Sequence, residues 1–177
     1  PYTTLFRSED KKISVPVSNF GMKAGDFINN FNQYASTIGV SIDADGSTMQ
    51  LGESKTVFKF QPKVFGNPVN SVFILLTCEP ETLLIQDINV LSAAQNATQK
   101  SLTGMIYDCT MNTITPSITE EQVNLIFNNL GIGYNPSDPI PTSEAYQRSC
   151  AVGNIKYSIS CNPSIPVPIL LSLSPNQ

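Results

Sequence analysis

Apolar residues recur every three or four positions in three segments of the chain, a spacing that places side chains along one face of an α-helix. The first segment covers residues 23–38 and is followed by Gly39, a residue type that commonly ends a helix. Its apolar positions are Phe27, Phe31, Tyr34, Ala35 and Ile38. We therefore predict a first helix over this segment.

The other two helical segments follow each other directly and carry start signals. Ser92 is followed three positions later by Gln95, and Thr119 is followed by Gln122, which are both capping-box patterns. Gly131 indicates the end of the third helix. The inward positions are Leu102, Met105, Ile106 and Cys109 in the second helix, and Val123, Ile126, Phe127 and Leu130 in the third. We expect these helices to form a pair.

Runs of alternating or continuously apolar residues predict strands on both sides of this helical pair. The strongest runs cover residues 56–60, 71–77, 83–91, 155–161 and 165–174, and weaker ones cover 13–17 and a strand pair over 40–51 that is broken at 43–46. Strands that cluster before and after helices favour antiparallel pairing. The sequence therefore predicts an α+β fold, with a mostly antiparallel sheet of five to seven strands and three helices, two of them packed on one face.

Prolines indicate two further features. Pro166 and Pro168 lie in the last apolar run, and because proline cannot donate a ladder hydrogen bond, this run is expected to be an edge strand. The segment from Gly133 to Thr142 contains Pro136, Pro139 and Pro141, which indicate an irregular surface loop.

The first eight residues resemble the translation of a sequencing adapter rather than natural protein. We therefore expect residues 1–8 to be an artefact and residues 9–177 to form a single α+β domain. An export signal or lipid anchor would lie upstream of this point, so the start of the chain carries no information about the compartment.

The composition is poor in charge. Charged residues make up 14% of the chain, against roughly a quarter in an ordinary soluble domain. Asn, Ser and Thr supply the polarity instead, as they do in exported proteins. The formal net charge is −4 and no basic stripe is present, which argues against nucleic acid as a partner. No motif points to a cofactor.

Four cysteines, Cys78, Cys109, Cys150 and Cys161, have no close spacing of the kind that binds zinc. We predict two disulfides in an oxidising compartment; the alternatives are one bridge with spare thiols, or four buried reduced cysteines. Cys150 should not pair with Cys161, because an extended strand separates them. The preferred pairs are Cys109 with Cys150 and Cys78 with Cys161, and Cys109 with Cys161 is a close alternative.

The chain contains no histidine, which excludes Ser-His-Asp triads, Cys-His dyads and histidine-bearing zinc sites within this segment. An enzyme built on this chain would have to use carboxylates alone. Such a site should bring together in one pocket two or more of the acidic residues Glu79, Glu81, Asp87 and Glu144. Acidic residues beside a turn are usually only solvated, so no catalytic or metal-binding residue is predicted.

Two tyrosines, Tyr134 and Tyr146, flank the proline-rich segment and lie outside any periodic pattern. They are candidates for an exposed contact surface, since aromatic residues are enriched at binding surfaces. The alternative is that they simply pack the loop.

Three segments together resemble a group of small uncharacterised bacterial proteins that carry signal or lipoprotein peptides. They are Phe27-x-x-x-Phe31-Asn32, Pro116-Ser117-Ile118-Thr119-Glu120-Glu121 and Ile155-Lys156-Tyr157-Ser158-Ile159-Ser160. The resemblance implies export and an α+β fold, and it brings no active site. The four cysteines and the long proline-rich loop depart from the group's pattern.

These observations favour a non-catalytic, exported bacterial envelope protein that binds another protein or a small ligand. It is expected in the periplasm or anchored to the envelope, with membrane contact only through an upstream anchor. One alternative is an inhibitor or immunity-type protein that uses the loop from Gly133 to Ser149. The other is a secreted hydrolase that uses carboxylates only. An enzyme would show an acidic pocket, whereas a binder would show exposed tyrosines.

Overall fold

A computed structural model describes residues 19–43, 47–51, 54–133 and 140–176. The helices are α1 (Ala24–Ala35), which continues into a 3-10 turn (Ser36–Ile38), α2 (Ala97–Ile114) and α3 (Glu120–Leu130). The strands are β1 (Val40–Ser41), β2 (Ser47–Leu51), β3 (Lys55–Phe60), β4 (Lys63–Val64), β5 (Asn67–Pro68), β6 (Val72–Cys78), β7 (Ile85–Ser92), β8 (Tyr146–Val152), β9 (Ile155–Cys161) and β10 (Ile169–Pro175).

Seven strands form the main sheet in the order β2-β3-β6-β7-β10-β9-β8, and every neighbouring pair is antiparallel. A second, small sheet contains β1, β4 and β5. The predicted α+β class and the predicted strand number of the main sheet are confirmed.

The three helices lie on one side of the main sheet. Along β6 and β9 every second side chain is buried, as expected for a sheet with one face covered and one face towards solvent. Helix α2 packs on β7, and α3 packs on β8 and β9, while α1 packs on α2 and on β1. The prediction of two helices on one face is therefore confirmed. The largest helix–helix contact, however, joins α1 to α2 rather than α2 to α3.

The ends of α1 and α3 follow the local sequence signals. Gly39 ends the 3-10 turn after α1 in the left-handed conformation, and Gly131 does the same for α3. At the start of α3, the Thr119 side chain accepts from the Gln122 amide, and the Gln122 side chain accepts from the Thr119 amide. The predicted capping box is confirmed.

The predicted start of α2 at Ser92 is wrong. Ser92 is the last residue of β7, and its buried hydroxyl is hydrogen-bonded to that of Thr103 at 2.7 Å. The helix cap is Asn96, whose side chain accepts from the Gln99 amide at 3.0 Å. The Gln99 side chain in turn accepts from the Gln95 amide at 2.7 Å. Ser92 is unavailable as a cap because the strand extends through it.

The predicted edge position of the last strand is also wrong, because β10 lies between β7 and β9. Pro166 and Pro168 precede the strand, which begins at Ile169, so they remove no hydrogen bond from its ladders. Pro175 is the last residue of β10.

One edge of the main sheet is β8, a strand that the sequence pattern did not indicate. Its burial is irregular, since Gln147, Arg148 and Ser149 are all exposed. The expected strand pair over residues 40–51 is wrong as well, because β1 pairs with β4 and β2 pairs with β3. The predicted strand at residues 13–17 lies outside the described residues.

Candidate functional site

A cavity of about 540 Å³ lies between the three helices, and we call it the interhelical groove. It is lined by Tyr34 from α1, by Gly104, Met105, Asp108 and Asn112 from α2, and by Ile118, Glu120, Val123, Asn124 and Phe127 from α3 and the residues before it. Its volume falls within the range of about 300 to 1,000 Å³ that is typical of small-molecule sites.

Helix α2 has one face in the groove and another in the core. Gly104, Asp108 and Asn112 are spaced four residues apart, so they lie on one face of the helix and line the groove. Ile106 and Tyr107 are completely buried in the core on the other side. The packing of the core face therefore fixes which residues α2 presents to the groove.

Asp108 is the half-buried acid of the groove. The Asn112 side-chain amide donates to its Oδ1 and to its backbone carbonyl, both at 3.0 Å. Burial raises the pKa of the Asp108 carboxyl, and the hydrogen bond from Asn112 partly opposes this shift. Within the described residues, no lysine or arginine forms a salt bridge with Asp108. Its charge is therefore only partly compensated.

Tyr34 stands at the mouth of the groove with 40% of its surface exposed. Burial of the remainder raises the pKa of its phenol, and the nearby Asp108 carboxylate raises it further. Asp108 and the Tyr34 hydroxyl are thus close enough to influence each other's charge. Glu120, the second acid of the groove, is exposed in the first turn of α3, where the helix dipole favours a carboxylate.

Gly104 provides space. It lies in the interior of α2, where glycine costs roughly 0.5–1 kcal/mol relative to alanine. A Cβ atom built at this position meets no atom of another element within 4 Å. Packing therefore does not require a glycine here. The absence of a side chain at Gly104 instead leaves the groove wider.

The rest of the lining is mostly apolar. Met105, Ile118 and Val123 are partly buried and pack against the core, and Phe127 stacks on Tyr107 with 6.3 Å between ring centroids. A small organic molecule in the groove would contact this apolar wall on one side and the polar residues of α2 on the other. Such a combination is typical of ligand pockets.

The acidic residues named from the sequence lie elsewhere. Glu79 accepts hydrogen bonds from Asn19 at 2.9 Å and from Thr82 at 2.6 Å, which stabilise the β6–β7 turn. None of Glu79, Glu81, Asp87 and Glu144 lines the interhelical groove. The acids that do share a pocket, Asp108 and Glu120, were not singled out by sequence reasoning.

The two tyrosines named from the sequence do not form a described surface. Tyr134 lies outside the described residues. Tyr146 is partly buried against the core, and the Arg148 guanidinium lies 5.5 Å from its ring centroid. The described part of the segment predicted as an inhibitory loop includes regular structure, because residues 146–149 belong to β8 and Ile140 is completely buried.

All four cysteines are free thiols. The predicted bridges are therefore wrong, and the alternative of reduced cysteines applies. Cys78, Cys109 and Cys161 are buried, and Cys150 is partly buried. Burial raises the pKa of Cys78 to about 11 and that of Cys109 to about 12.

The register of the sheet explains why two of the pairings fail. Cys78 of β6 is paired with Ile85 of β7. Cys161 of β9 is paired with Ile169 of β10, and Ile169 is in turn paired with Ser92 of β7. Ile85 and Ser92 are the two ends of β7, roughly 23 Å apart at about 3.3 Å per residue. A disulfide needs Cα atoms within about 7 Å, so Cys78 and Cys161 cannot be bridged.

Cys150 and Cys161 are on neighbouring strands, but they too are out of reach. Cys150 is opposite Tyr157, four residues before Cys161 on β9 and therefore roughly 13 Å from it along the strand. The prediction that these two do not pair is confirmed.

Among the described residues, no helix combines the length and hydropathy needed to cross a membrane. No cluster of three or more His, Cys, Asp or Glu side chains with metal-binding geometry occurs in the same part of the chain.

No protein family, curated protein or solved structure matches this chain.

A signal for the groove was present in the sequence. Gly104, Asp108 and Asn112 form a stripe at a spacing of four residues on the predicted second helix, beside its apolar face. The stripe alone would normally indicate a solvated helix surface. Only the approach of α1 and α3 turns it into the wall of a cavity.

Proposed function

We propose that the protein is a non-catalytic binding module that holds a small organic ligand in the interhelical groove. The observation that carries this proposal is the cavity itself, with Asp108 and Asn112 on one side and an apolar wall on the other. Gly104 supports it, because a glycine in the interior of α2 costs helix stability and no packing contact requires it there.

We propose further that this module is exported by a bacterium and acts in the cell envelope. The support is compositional: few charged residues, no basic stripe, and polarity supplied by Asn, Ser and Thr. The cysteines give no support to export, since the structure contains no disulfide among them. The binding proposal does not depend on the compartment.

The binding proposal can be tested by NMR with the ¹⁵N-labelled protein and a panel of small aromatic and aliphatic compounds. We expect some of them to shift the amide signals of Gly104, Asp108 and Asn124. Gly104→Leu should fill the groove and abolish these shifts. Gly25→Leu is the matched control, because Gly25 is an exposed glycine of α1 that also has open space around it. Shifts that survive Gly104→Leu, or a panel without any response, would contradict the proposal.

A carboxylate-only hydrolase remains the second candidate, and one observation favours it. Burial raises the pKa of Asp108, while Glu120 on the same groove is exposed. Two carboxyl groups in such different surroundings can act as an acid and a base. This candidate is tested with nitrophenyl glycosides as substrates. If the wild type hydrolyses them and both Asp108→Asn and Glu120→Gln abolish the hydrolysis, the protein is an enzyme and the non-catalytic binding proposal is wrong.

A further inference from the structure

We infer that the interhelical groove selects an organic ammonium ion, a protonated amine carried on an apolar alkyl or aryl group. This inference rests on the proposed binding function and specifies the class of ligand. It follows from the charge of the lining, from the environment of Asp108 and from the apolar wall.

Among the described residues, the charged side chains that line the groove are both negative. Asp108 and Glu120 contribute carboxylates, Asn112 and Asn124 contribute amides, and no lysine or arginine of this part of the chain is in the lining. An anionic ligand would be repelled by both carboxylates, and a neutral ligand would leave them uncompensated. A cation fits the sign of the site.

Asp108 is the group that a cation would satisfy. Its carboxylate is half-buried, and the hydrogen bond from Asn112 involves only Oδ1. A carboxylate that is partly removed from water is costly unless a positive charge or several donors compensate it. An ammonium group has three donors and a positive charge, so it can supply both.

Tyr34 and the apolar wall distinguish an organic cation from a metal ion. The partly exposed Tyr34 ring shares the mouth of the groove with Asp108, and an aromatic face attracts ammonium groups. Met105, Val123 and Phe127 offer apolar surface that a hydrated metal ion could not use. With about 540 Å³, the groove has space for on the order of 18 water molecules at about 30 Å³ each, enough for an aryl or alkyl group beside the ammonium.

The experiment uses three probes with the same skeleton and different charge: 2-phenylethylammonium, 2-phenylethanol and phenylacetate. Each is titrated into the wild type at neutral pH and low salt, and binding is followed by the amide shifts of Gly104 and Asp108. We expect the ammonium probe to bind about tenfold or more tightly than the alcohol, because its hydrogen bond to Asp108 is charge-assisted. Phenylacetate should not bind.

Asp108→Asn separates charge from shape. The variant keeps the volume of the side chain, so it should lower the affinity for 2-phenylethylammonium to that for 2-phenylethanol and leave the alcohol unaffected. Asp87→Asn is the matched control, since Asp87 is a partly buried carboxylate of β7 outside the groove. It should leave all three affinities unchanged. Circular dichroism and thermal unfolding confirm that each variant is folded.

The outcomes distinguish this inference from the proposed function. Equal affinities for the ammonium and the alcohol, both lost in Gly104→Leu, would leave the binding function standing and overturn the ammonium selectivity. Selectivity that persists in Asp108→Asn would also overturn it. No binding of any probe to the wild type, together with no response to the broader compound panel, would overturn both.

Discussion

The phenol hydroxyl of Tyr107 donates a hydrogen bond of 3.0 Å to the backbone carbonyl of Ser172, which joins the core face of α2 to β10. Tyr107 is completely buried, and burial raises the pKa of its phenol well above the ordinary value, so the group stays protonated and remains a donor. The next residue, Asp108, lines the groove. The hydrogen bond therefore helps to fix the orientation of α2 and the direction in which Asp108 is presented.

Tyr107→Phe should remove this hydrogen bond and keep the stacking on Phe127. We expect a loss of about 1 kcal/mol in the free energy of unfolding, the usual contribution of one hydrogen bond. Urea denaturation followed by circular dichroism measures it. Tyr34→Phe, at an exposed position, is the control and should change stability much less. Equal losses in both variants would show that the bond to Ser172 contributes nothing specific.

Gly104→Ala should stabilise the protein. Alanine is favoured over glycine in a helix interior by roughly 0.5–1 kcal/mol, and the added methyl group meets no neighbouring element within 4 Å. Urea denaturation should therefore show a higher midpoint. Gly25→Ala, in the first turn of α1, should give a smaller gain, because helix propensity matters less at a helix end. A destabilised Gly104→Ala variant would mean that glycine is needed for packing, and it would weaken the argument for a ligand.

Asp108 should make the protein less stable as the pH rises. Its pKa is higher in the folded state than in the unfolded state, so between the two values the folded protein binds the proton more readily. Stability then decreases from the ordinary carboxyl pKa upwards and levels off above the raised one. Asp108→Asn should remove this component and be more stable relative to wild type at pH 7 than at pH 3.

Denaturation curves of both proteins between pH 3 and pH 8 test this. A difference between Asp108→Asn and wild type that is constant with pH would contradict the raised pKa of Asp108.

Features that are encoded within a few residues could be predicted from the sequence. The capping box of Thr119 and Gln122 and the stop at Gly131 depend only on contacts inside one turn of α3, and the structure contains all of them. The same pattern failed at Ser92, because the pairing of β7 with β6 and β10 extends the strand through that residue. At Ser92 the pairing of distant strands therefore overrides the local preference for a helix cap.

The groove and the edge strand depend on contacts between distant segments. β8 has no regular alternation, and its strand conformation follows from pairing with β9 and from packing under α3. Asp108 looks like a surface acid in the sequence, and only the approach of Tyr34 from α1 and of α3 places it in a cavity. The predicted edge position of the last strand was wrong because Pro166 and Pro168 lie in the apolar run but not in β10.

The cysteines should react as four thiols of unequal accessibility. Alkylation needs the thiolate, and burial raises the pKa of Cys78 to about 11 and of Cys109 to about 12, so neither should react in the folded protein at pH 7. Cys161 is 2% exposed and should be protected as well. Cys150, which is partly buried on the edge strand β8, should be modified first.

The order of modification is tested by treating the protein with iodoacetamide in the absence of a reducing agent and counting the labels by mass spectrometry. The native protein should gain one label, which Cys150→Ser abolishes, and the unfolded protein should gain four. Fewer than four labels in the unfolded, unreduced protein would indicate a disulfide. Since the register keeps Cys78 from Cys161 and Cys150 from Cys161, a bridge would have to join another pair, and the packing of α2 or β8 would differ from that described. That result would also support the prediction, made from the cysteine content, that the protein is in an oxidising compartment.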